Sequence, residues 1–525
     1  MRPTLATTLA ALALAVTPAL TQTSTPAAAP AEPYLWLEAT QSPRALAWVE
    51  KQNARSLAVL KGDPRYGVFH EQALAIVNAV DRIPTPELIG EAVYNFWQDP
   101  ANVRGLWRRA TAASYAGAAP AWESVIDLDA LAATEKANWV WKGADCPPPH
   151  YRLCLVSLSD GGEDATEVRE FDLAAKRFVA GGFVLPHSKQ TADWIDENTL
   201  IVSRDWGAGT MTASGYPFVV KTLKRGQPLA QAIEVFRGQA SDVSVDPVVL
   251  HDGAGRAMTL IQRGIDFFHT EIWRLTDRGP VKLDLPEKIT VRGLLDGALV
   301  FTTEQDWAFD GRSYKAGALL ALNPARLAAD SASARGGESA EPLIFQPGPR
   351  QSVEQVEVTK TRIVAAIYDN VRGALVAFEA GGEAGWRQSR LPVTANSSVS
   401  IVAAEVASDT LYYDVEGFLD PTRLWRADAA SGAAAAIKAL PARFDASRDA
   451  VDQFEVASSD GTKVPYFVVH PKEMKLDGSN PTLLYAYGGF QVSLPPSYSP
   501  TVGKLWLEHG GVYVLANIRG GGEFG

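Results

Sequence analysis

The stretch Pro481-Thr-Leu-Leu-Tyr-Ala-Tyr-Gly-Gly-Phe490, followed after a loop by Gly510-Gly-Val-Tyr-Val-Leu-Ala-Asn-Ile-Arg-Gly-Gly-Gly-Glu-Phe-Gly525, decides the fold of the region that holds it. Its two apolar runs, 482–487 and 511–518, each end in a cluster of glycines. Such runs predict strands that are buried on both faces of a largely parallel sheet. Ligands of open α/β sheets bind at the loops that follow the strands, so both glycine-rich loops are candidate functional loops.

The residues around these runs complete the beginning of an α/β domain, which we assign to 448–525. Residues 454–456 and 464–470 read as strands, and Asp460-Gly461-Thr462 between them is typical of a hairpin turn. Residues 502–509 predict a short helix. Two parallel strands with so little helix leave an apolar edge uncovered, so we expect the domain to be incomplete in this sequence.

Upstream, residues 83–447 have the texture of an all-β domain. Short β-branched and aromatic runs alternate with Asp, Gly and Asn turns, and a loose repeat recurs at 193–202, 295–301 and 408–413. About 360 residues of four-strand units, at roughly 40–55 residues each, predict a β-propeller of about seven blades. A pair of β-sandwiches is the alternative, but the repeats run too long and too regularly for it.

The chain begins with two segments of different character. In residues 1–29, Arg2 precedes an apolar segment at 5–20, and Ala27-Ala28-Ala29 offers a small-residue cleavage site. This pattern predicts a signal peptide and an exported protein, periplasmic or secreted. A membrane anchor is the alternative, but the apolar segment is shorter than the roughly 20 residues of a span. Residues 30–82 read as helical, because Ser42-Pro43 is a helix start and a second helix follows at 69–80.

Composition narrows the range of partners. The 525 residues carry a net charge of −11 with Lys and Arg scattered, which argues against nucleic acid and anionic membranes as partners. The cysteines, Cys146 and Cys154, flank three prolines. In an exported protein they could form a disulfide or stay as two unpaired thiols, and the sequence leaves both readings open. Two cysteines supply only half of the four ligands that a structural zinc site needs, so the sequence disfavours a metal site.

Two motifs at the glycine loops could carry chemistry. Residues 520–525 match G-x-G-x-x-G, but a dinucleotide site also needs a following helix and an acidic residue about 20 positions on, and neither is visible. The loop at 485–490 is more specific, since two glycines let backbone and the Tyr487 phenol approach a reacting carbonyl, and a tyrosine hydroxyl can donate to an oxyanion. On local sequence alone, a tyrosine that merely ends a strand with its hydroxyl in solvent is an equally good interpretation.

Six motifs, in the same order along the chain, resemble those of the prolyl oligopeptidase family: Pro33-Tyr-Leu-Trp-Leu-Glu38, Ala45-Leu-Ala-Trp-Val-Glu-Lys-Gln-Asn53, Tyr94-Asn-Phe-Trp-Gln-Asp99, Arg104-Gly-Leu-Trp-Arg-Arg109, Leu484-Tyr-Ala-Tyr-Gly-Gly-Phe490 and Gly511-Val-Tyr-Val-Leu-Ala-Asn-Ile-Arg-Gly-Gly-Gly-Glu523. The resemblance implies a serine peptidase in which a seven-bladed propeller caps an α/β-hydrolase domain and limits substrates to short peptides. Residues 30–82 would belong to the hydrolase domain.

The resemblance also implies roles for single residues. Tyr487 matches the tyrosine whose hydroxyl serves the oxyanion hole, and Phe490 matches the aromatic residue that lines the pocket for the residue before the scissile bond. Tyr485 and the glycines 520–522 look structural. No metal or organic cofactor is implied, and the expected partner is a short peptide bound by a monomer, with a preference for cleavage after proline.

The sequence departs from the family in one large respect, the absence of a Gly-x-Ser-x-Gly motif. The nearest match is Gly337-Glu-Ser-Ala-Glu341, in a turn-rich propeller loop. The family's nucleophile, acid and base all follow its counterpart of Gly522, so we expect a chain truncated before its triad and inactive by itself. None of the seven histidines is assigned as the base: His70, His150, His187, His251, His269, His470 and His509. A non-catalytic secreted propeller that binds peptides or a protein partner is the alternative.

Overall fold

The computed structural model describes residues 32–327, 341–381 and 385–523. The predicted signal peptide, residues 1–29, lies outside the described residues. The chain divides into two compact units, of which one ends at Glu71 and the other begins at Gln72. Among the described residues, no helix is both long and apolar enough to cross a bilayer.

The two predicted helices lie at the start of the described chain. Helix α1 spans Pro43–Gly62, and the Ser42 side chain accepts a hydrogen bond from the Ala45 amide at its start. That bond satisfies one of the amides that a helix start leaves unpaired, and it confirms Ser42 as the cap. Helix α2 spans Tyr66–Val77, so it begins and ends three residues earlier than predicted.

The β-propeller prediction is confirmed. In the described part of the chain, seven sheets follow one another, each an antiparallel meander whose main strands pair in chain order. The first four sheets are β1 (Glu87–Ile89), β2 (Ala92–Trp97), β3 (Leu106–Thr111) and β4 (Glu123–Asp127); β5 (Trp139–Asp145), β6 (Leu153–Asp160), β7 (Thr166–Asp172), β8 (Arg177–Phe178) and β9 (Val184–Ser188); β10 (Gln190–Asp196), β11 (Thr199–Arg204), β12 (Val219–Lys224) and β13 (Ile233–Arg237); and β14 (Ser244–His251), β15 (Ala257–Gly264), β16 (Thr270–Thr276) and β17 (Gly279–Lys282).

Three more sheets and a small ladder complete the propeller. The sheets are β18 (Ile289–Leu295), β19 (Ala298–Thr303), β22 (Leu319–Leu322) and β23 (Leu343–Phe345); β24 (Gln351–Val358), β25 (Ile363–Asp369), β26 (Arg372–Ala380) and β27 (Trp386–Leu391); and β28 (Ser398–Ala404), β29 (Thr410–Glu416), β30 (Arg423–Asp428) and β31 (Ala434–Ala439). Strands β20 (Trp307–Phe309) and β21 (Arg312–Tyr314) form the ladder. Short helices join some strands: α3 (Ala112–Ala116), α4 (Leu128–Glu135) and α5 (Pro324–Leu327).

Apolar packing closes the seven sheets into a ring. Each pair of neighbouring sheets shares a cluster of buried side chains, as where Val364 of the sixth sheet meets Leu411 of the seventh. A further cluster joins the last sheet to the first, and in it the rings of Tyr115 and Tyr412 meet edge to face at 5.6 Å. Burying both faces of every sheet in this way is what stabilises a propeller against opening.

A second sheet, which we call the C-terminal sheet, follows the propeller. It contains β32 (Asp449–Ala457), β33 (Lys463–Pro471), β34 (Thr482–Tyr485) and β35 (Val512–Ala516) in the order β32-β33-β35-β34. Strands β32 and β33 form the predicted hairpin, and β34 pairs with β35 in parallel, as predicted. Helix α6 (Pro500–Leu505) precedes a short 3₁₀ turn at Leu507–His509.

The expected burial of β34 on both faces is wrong. All four of its residues are exposed, with Leu484 at 66%. The physical reason is its position, because β34 is the edge of the sheet and no described element covers it. Strand β35, between β33 and β34, is the better-buried member of the pair.

The C-terminal sheet packs on the propeller through one apolar cluster. Val371 and Phe418, from turns of the last two propeller sheets, contact the cluster that includes Phe467 and Leu515 of the C-terminal sheet. Asn370 and Gln453 add two hydrogen bonds across the same boundary. The boundary therefore holds strands β32, β33 and β35 of the C-terminal sheet against turns of the last two propeller sheets.

Candidate functional site

The two predicted site residues lie on the loop that leaves β34, which we call the tyrosine loop (residues 486–494). Tyr487 is 47% exposed and Phe490 is 82% exposed. The Tyr487 ring lies against Gly489, where an added Cβ would meet the phenol carbons at 3.0 Å. The loop therefore presents a phenol and an apolar ring at the carboxyl end of a parallel strand pair, the edge at which such sheets bind ligands.

The glycines of the tyrosine loop interlock with those of the loop after β35, which we call the glycine loop (residues 517–523). A Cβ on Gly520 would lie 2.0 Å from the Gly488 carbonyl oxygen, and one on Gly488 would lie 2.6 Å from that of Arg519. The Gln491 amide donates to the Gly520 carbonyl at 3.0 Å. The glycines thus serve close backbone packing between two loops. This geometry does not favour the dinucleotide interpretation, because a neighbouring loop occupies the space at the glycines.

A buried carboxylate holds the two loops together from below. Glu523 is 4% exposed, and its Oε1 accepts hydrogen bonds from the Leu494 amide and from Asn517 Nδ2, both at 3.0 Å. Asn517 also donates to the Leu494 carbonyl at 2.9 Å. A buried charge with several donors is stable only in a fixed arrangement, so Glu523 anchors the end of the tyrosine loop.

Between its anchors the tyrosine loop adopts an unusual backbone. Phe490 and Gln491 have φ of 53° and 57°, both in the left-handed region that side chains other than glycine seldom occupy. Two such residues in succession persist only where surrounding contacts hold them. The consequence is that Phe490 points outward while the chain on either side of it remains hydrogen bonded.

The propeller also contacts the tyrosine loop. The Ser493 hydroxyl donates to Glu354 Oε1 at 2.9 Å, and the Ser352 hydroxyl donates to the same oxygen at 2.7 Å. Glu354 lies in β24, at the point where the pairing with β25 shifts by one residue. A β-bulge of this kind redirects a side chain, here towards the C-terminal sheet.

The histidine of β33 is not arranged as a catalytic base. His470 Nδ1 lies 2.8 Å from the Pro471 carbonyl oxygen and Nε2 lies 3.0 Å from Asp452 Oδ2, so both ring nitrogens face acceptors. Burial lowers the pKa of His470, but the hydrogen bonds to Asp452 and Pro471 together with the nearby negative charges outweigh it, so the pKa is raised overall. A ring with both nitrogens directed at acceptors has no free nitrogen for a nucleophile. Within the described ranges, no group of three or more His, Cys, Asp or Glu side chains is arranged to hold a metal ion.

The arrangement can supply one part of an acyl-transfer site, the stabilisation of the oxyanion. A half-exposed phenol on an anchored loop is a preorganised donor for charge that develops on a carbonyl oxygen.

The sequence pointed to Tyr487 and Phe490, and the structure brings them onto one loop. It did not point to Glu354, Ser493 or Glu523. For Glu523 there was a usable signal, a charged residue directly after a run of glycines at a strand end, whereas Glu354 lies 139 residues from its partner.

Comparison with known proteins agrees with this architecture. Residues 21–439 match the model of the prolyl oligopeptidase N-terminal beta-propeller domain. An uncharacterized peptidase of Sinorhizobium fredii (strain NBRC 101917 / NGR234) is 45% identical over 502 residues, which are 94% of this chain and 68% of that protein. A prolyl endopeptidase of Elizabethkingia meningoseptica is 37% identical over 139 residues, 26% of this chain and 19% of that one.

A solved structure extends the likeness to the whole described fold. The structure of a post-proline cleaving enzyme from Rickettsia typhi superposes with a TM-score of 0.81 at 29% identity, and the match covers 93% of this chain and 72% of that chain. The match is long enough to include both the propeller and the C-terminal sheet, which is therefore part of an α/β-hydrolase domain. On these grounds the chain belongs to the prolyl oligopeptidase family of peptidases.

Proposed function

We propose that this protein is an exported serine-type oligopeptidase that cleaves short peptides after proline and acts as a monomer. The observation that carries the proposal is the anchored tyrosine loop, which holds the half-exposed Tyr487 phenol at the carboxyl end of a parallel strand pair. In this proposal Tyr487 and a backbone amide stabilise the oxyanion of the tetrahedral intermediate. No metal or organic cofactor has a part in it.

Phe490 has the second role in the proposal. Phe490 lies three residues after Tyr487 and is 82% exposed, and an apolar ring is a suitable surface for the pyrrolidine ring of proline. The preference for proline is supported by the names of the relatives, a prolyl endopeptidase and a post-proline cleaving enzyme. The export of the protein is supported by the predicted signal peptide.

The nucleophile, the acid and the base of this enzyme belong, in our proposal, to residues outside the 525-residue sequence. Two observations support this. The sequence contains no Gly-x-Ser-x-Gly, and β34 is an exposed edge on which a further parallel strand could pair. A serine would attack the peptide carbonyl while a histidine, oriented by an aspartate, takes its proton.

The test compares the 525-residue chain with the protein encoded by the complete reading frame. Both are incubated with a proline-containing octapeptide and with a fluorophosphonate probe that labels activated serines. We expect the longer protein to cleave after proline, to be labelled, and to begin near residue 30 when exported; the 525-residue chain should do neither reaction. Cleavage by the 525-residue chain would reveal an unrecognised nucleophile. A stop codon directly after Gly525 would instead favour the peptide-binding propeller.

A further inference from the structure

Glu354 is a propeller residue that reaches the loop on which the proposed reaction depends. Its Oε1 accepts the Ser493 hydroxyl at 2.9 Å across the boundary between the propeller and the C-terminal sheet. Ser493 lies three residues after Phe490 and next to Leu494, which Glu523 anchors from the other side. The tyrosine loop is therefore held between two carboxylates, one from each domain.

The contact is built into the propeller and is not a chance surface pair. The pairing of β24 with β25 shifts between Val353 and Gln355, which places Glu354 in a β-bulge. The neighbouring Ser352, only 3% exposed, donates to the same Oε1 at 2.7 Å and fixes the carboxylate. An oxygen that accepts two hydroxyl protons has a defined position, so Ser493 meets a preorganised acceptor.

The loop needs such an acceptor. Phe490 and Gln491 are both in the left-handed region, a conformation that costs on the order of 1–3 kcal/mol for each residue unless contacts hold it. Within the loop itself, the Val492 amide donates to the Gly489 carbonyl at 3.0 Å. Gln491 bonds to the glycine loop and Leu494 bonds to Glu523, whereas Ser493 is the residue through which the propeller holds the tyrosine loop.

We propose that Glu354 is a positioning residue for the site: through Ser493 it maintains the turn that presents Tyr487 and Phe490, and so it couples the propeller to the oxyanion side of the reaction. The inference rests on the proposed function for its catalytic meaning. Its structural part, the dependence of the tyrosine loop on a propeller carboxylate, stands independently of it.

Hydrogen exchange tests the structural part on the 525-residue chain as it is. The amides of Gln491, Val492 and Leu494 are hydrogen bonded, so their exchange reports loop opening. We expect Ser493→Ala and Glu354→Ala to speed exchange in this segment about 10-fold or more, the scale of a lost hydrogen bond to a charged group. Glu354→Gln keeps an acceptor oxygen and should restore slow exchange.

Ser352→Ala is the comparison variant, because it removes a bond that orients the Glu354 carboxylate but leaves the Ser493–Glu354 bond itself in place. Its exchange should lie between that of the wild type and that of Ser493→Ala, and the thermal midpoint of the propeller should be unchanged in every variant. The proposal is overturned if Ser493→Ala exchanges as slowly as wild type. Equal acceleration by Ser352→Ala would also overturn it, since the effect would then arise from the packing of β24.

The catalytic part needs the peptide-cleaving protein from the complete reading frame. Glu354→Ala should lower kcat at least about 10-fold through the displaced Tyr487 and raise KM by a smaller factor through the displaced Phe490, and Glu354→Gln should recover most of both changes. If Glu354→Ala speeds hydrogen exchange in the tyrosine loop but leaves kcat unchanged, the coupling of the propeller to the reaction is refuted and the contact with the loop is not. Absence of cleavage by the wild type would count against the proposed function alone.

Discussion

Gly520 shows, at the scale of one residue, how backbone packing builds the site. Its α-carbon lies so close to the Gly488 carbonyl oxygen that an added Cβ would be 2.0 Å away. Its φ of +94° also favours glycine. Steric space and backbone conformation therefore both select glycine here, and the two effects can be separated by comparison with another glycine of similar φ.

Gly510 provides that comparison. It has φ of +79°, but nothing lies within 4 Å of the position of its Cβ. Gly520→Ala should therefore destabilise the C-terminal sheet by about 1–3 kcal/mol more than Gly510→Ala, the usual cost of overpacking. The measurement is the local unfolding free energy from hydrogen exchange of the β35 amides. Equal effects of the two variants would mean that conformation alone, and not the contact with Gly488, requires the glycine.

A buried carboxyl in β29 gives the propeller a pH-dependent stability. Burial, with a smaller contribution from the negative charge of Glu416, raises the pKa of Asp414 to about 7. Among the described atoms its Oδ1 has no hydrogen-bond partner, in agreement with a carboxyl that is costly to ionise. In the folded protein Asp414 therefore binds its proton more tightly than in the unfolded chain.

The sign of the pH effect follows from this difference. The stabilisation is complete below the ordinary aspartate pKa of 3.8 and is lost as the pH rises through about 7, at up to about 1.4 kcal/mol per pH unit. Asp414→Asn should therefore be more stable than wild type at pH 8 and similar to it at pH 4, as measured by thermal unfolding. Asp428→Asn is the control of opposite sign, because hydrogen bonds from Ser431 lower the pKa of Asp428. Parallel pH profiles for wild type and Asp414→Asn would contradict the assignment.

At the scale of elements, the loop between β5 and β6 fastens three propeller sheets together. Cys146 and Cys154 form a disulfide across it, which decides between the two readings that the sequence left open. From this loop the Tyr151 hydroxyl donates to Glu405 Oε2 of the seventh sheet at 2.6 Å, and its ring lies against Gly90 of the first sheet. The disulfide thus restricts the loop from which Tyr151 reaches the junction of the first and last sheets.

We expect the double variant Cys146→Ser, Cys154→Ser to lower the unfolding free energy by about 2–3 kcal/mol, the cost of opening a loop this short. Tyr151→Phe should destabilise the wild type by about 1–3 kcal/mol and the double variant by less, because a loosened loop no longer places the hydroxyl. Denaturant unfolding of the four proteins gives the coupling. Strictly additive effects would show that the disulfide and the Tyr151 contact act independently.

The elements also show what could and could not be read from the sequence. The hairpin of β32 and β33 was predicted, since two apolar runs flank the turn at Asp460-Gly461-Thr462. The exposure of β34 was missed, because an apolar run does not reveal whether another element covers it. Tyr487 and Phe490 were found through a motif, whereas Glu354 was not, because its role depends on a contact between distant parts of the chain. The pattern of apolar residues predicts local structure, but it does not predict which distant parts of the chain come into contact.

At the scale of the whole molecule, the propeller and the C-terminal sheet meet through the sixth and seventh propeller sheets. Val371 and Phe418 pack into the core of the C-terminal sheet, and Glu354 holds its tyrosine loop. The propeller therefore contributes to the shape of the site. The roles proposed for residues 30–82 and for the domain boundaries at 82/83 and 447/448 stay predictions.

The most direct test of the central claim is kcat of Tyr487→Phe beside Tyr485→Phe, in the peptidase expressed from the complete reading frame. The two tyrosines are 47% and 48% exposed, so they differ in position and not in accessibility. We predict that Tyr487→Phe lowers kcat by about 10–1000-fold, the scale of one lost oxyanion donor, while Tyr485→Phe stays near wild type. Unchanged kcat in Tyr487→Phe would contradict the claim.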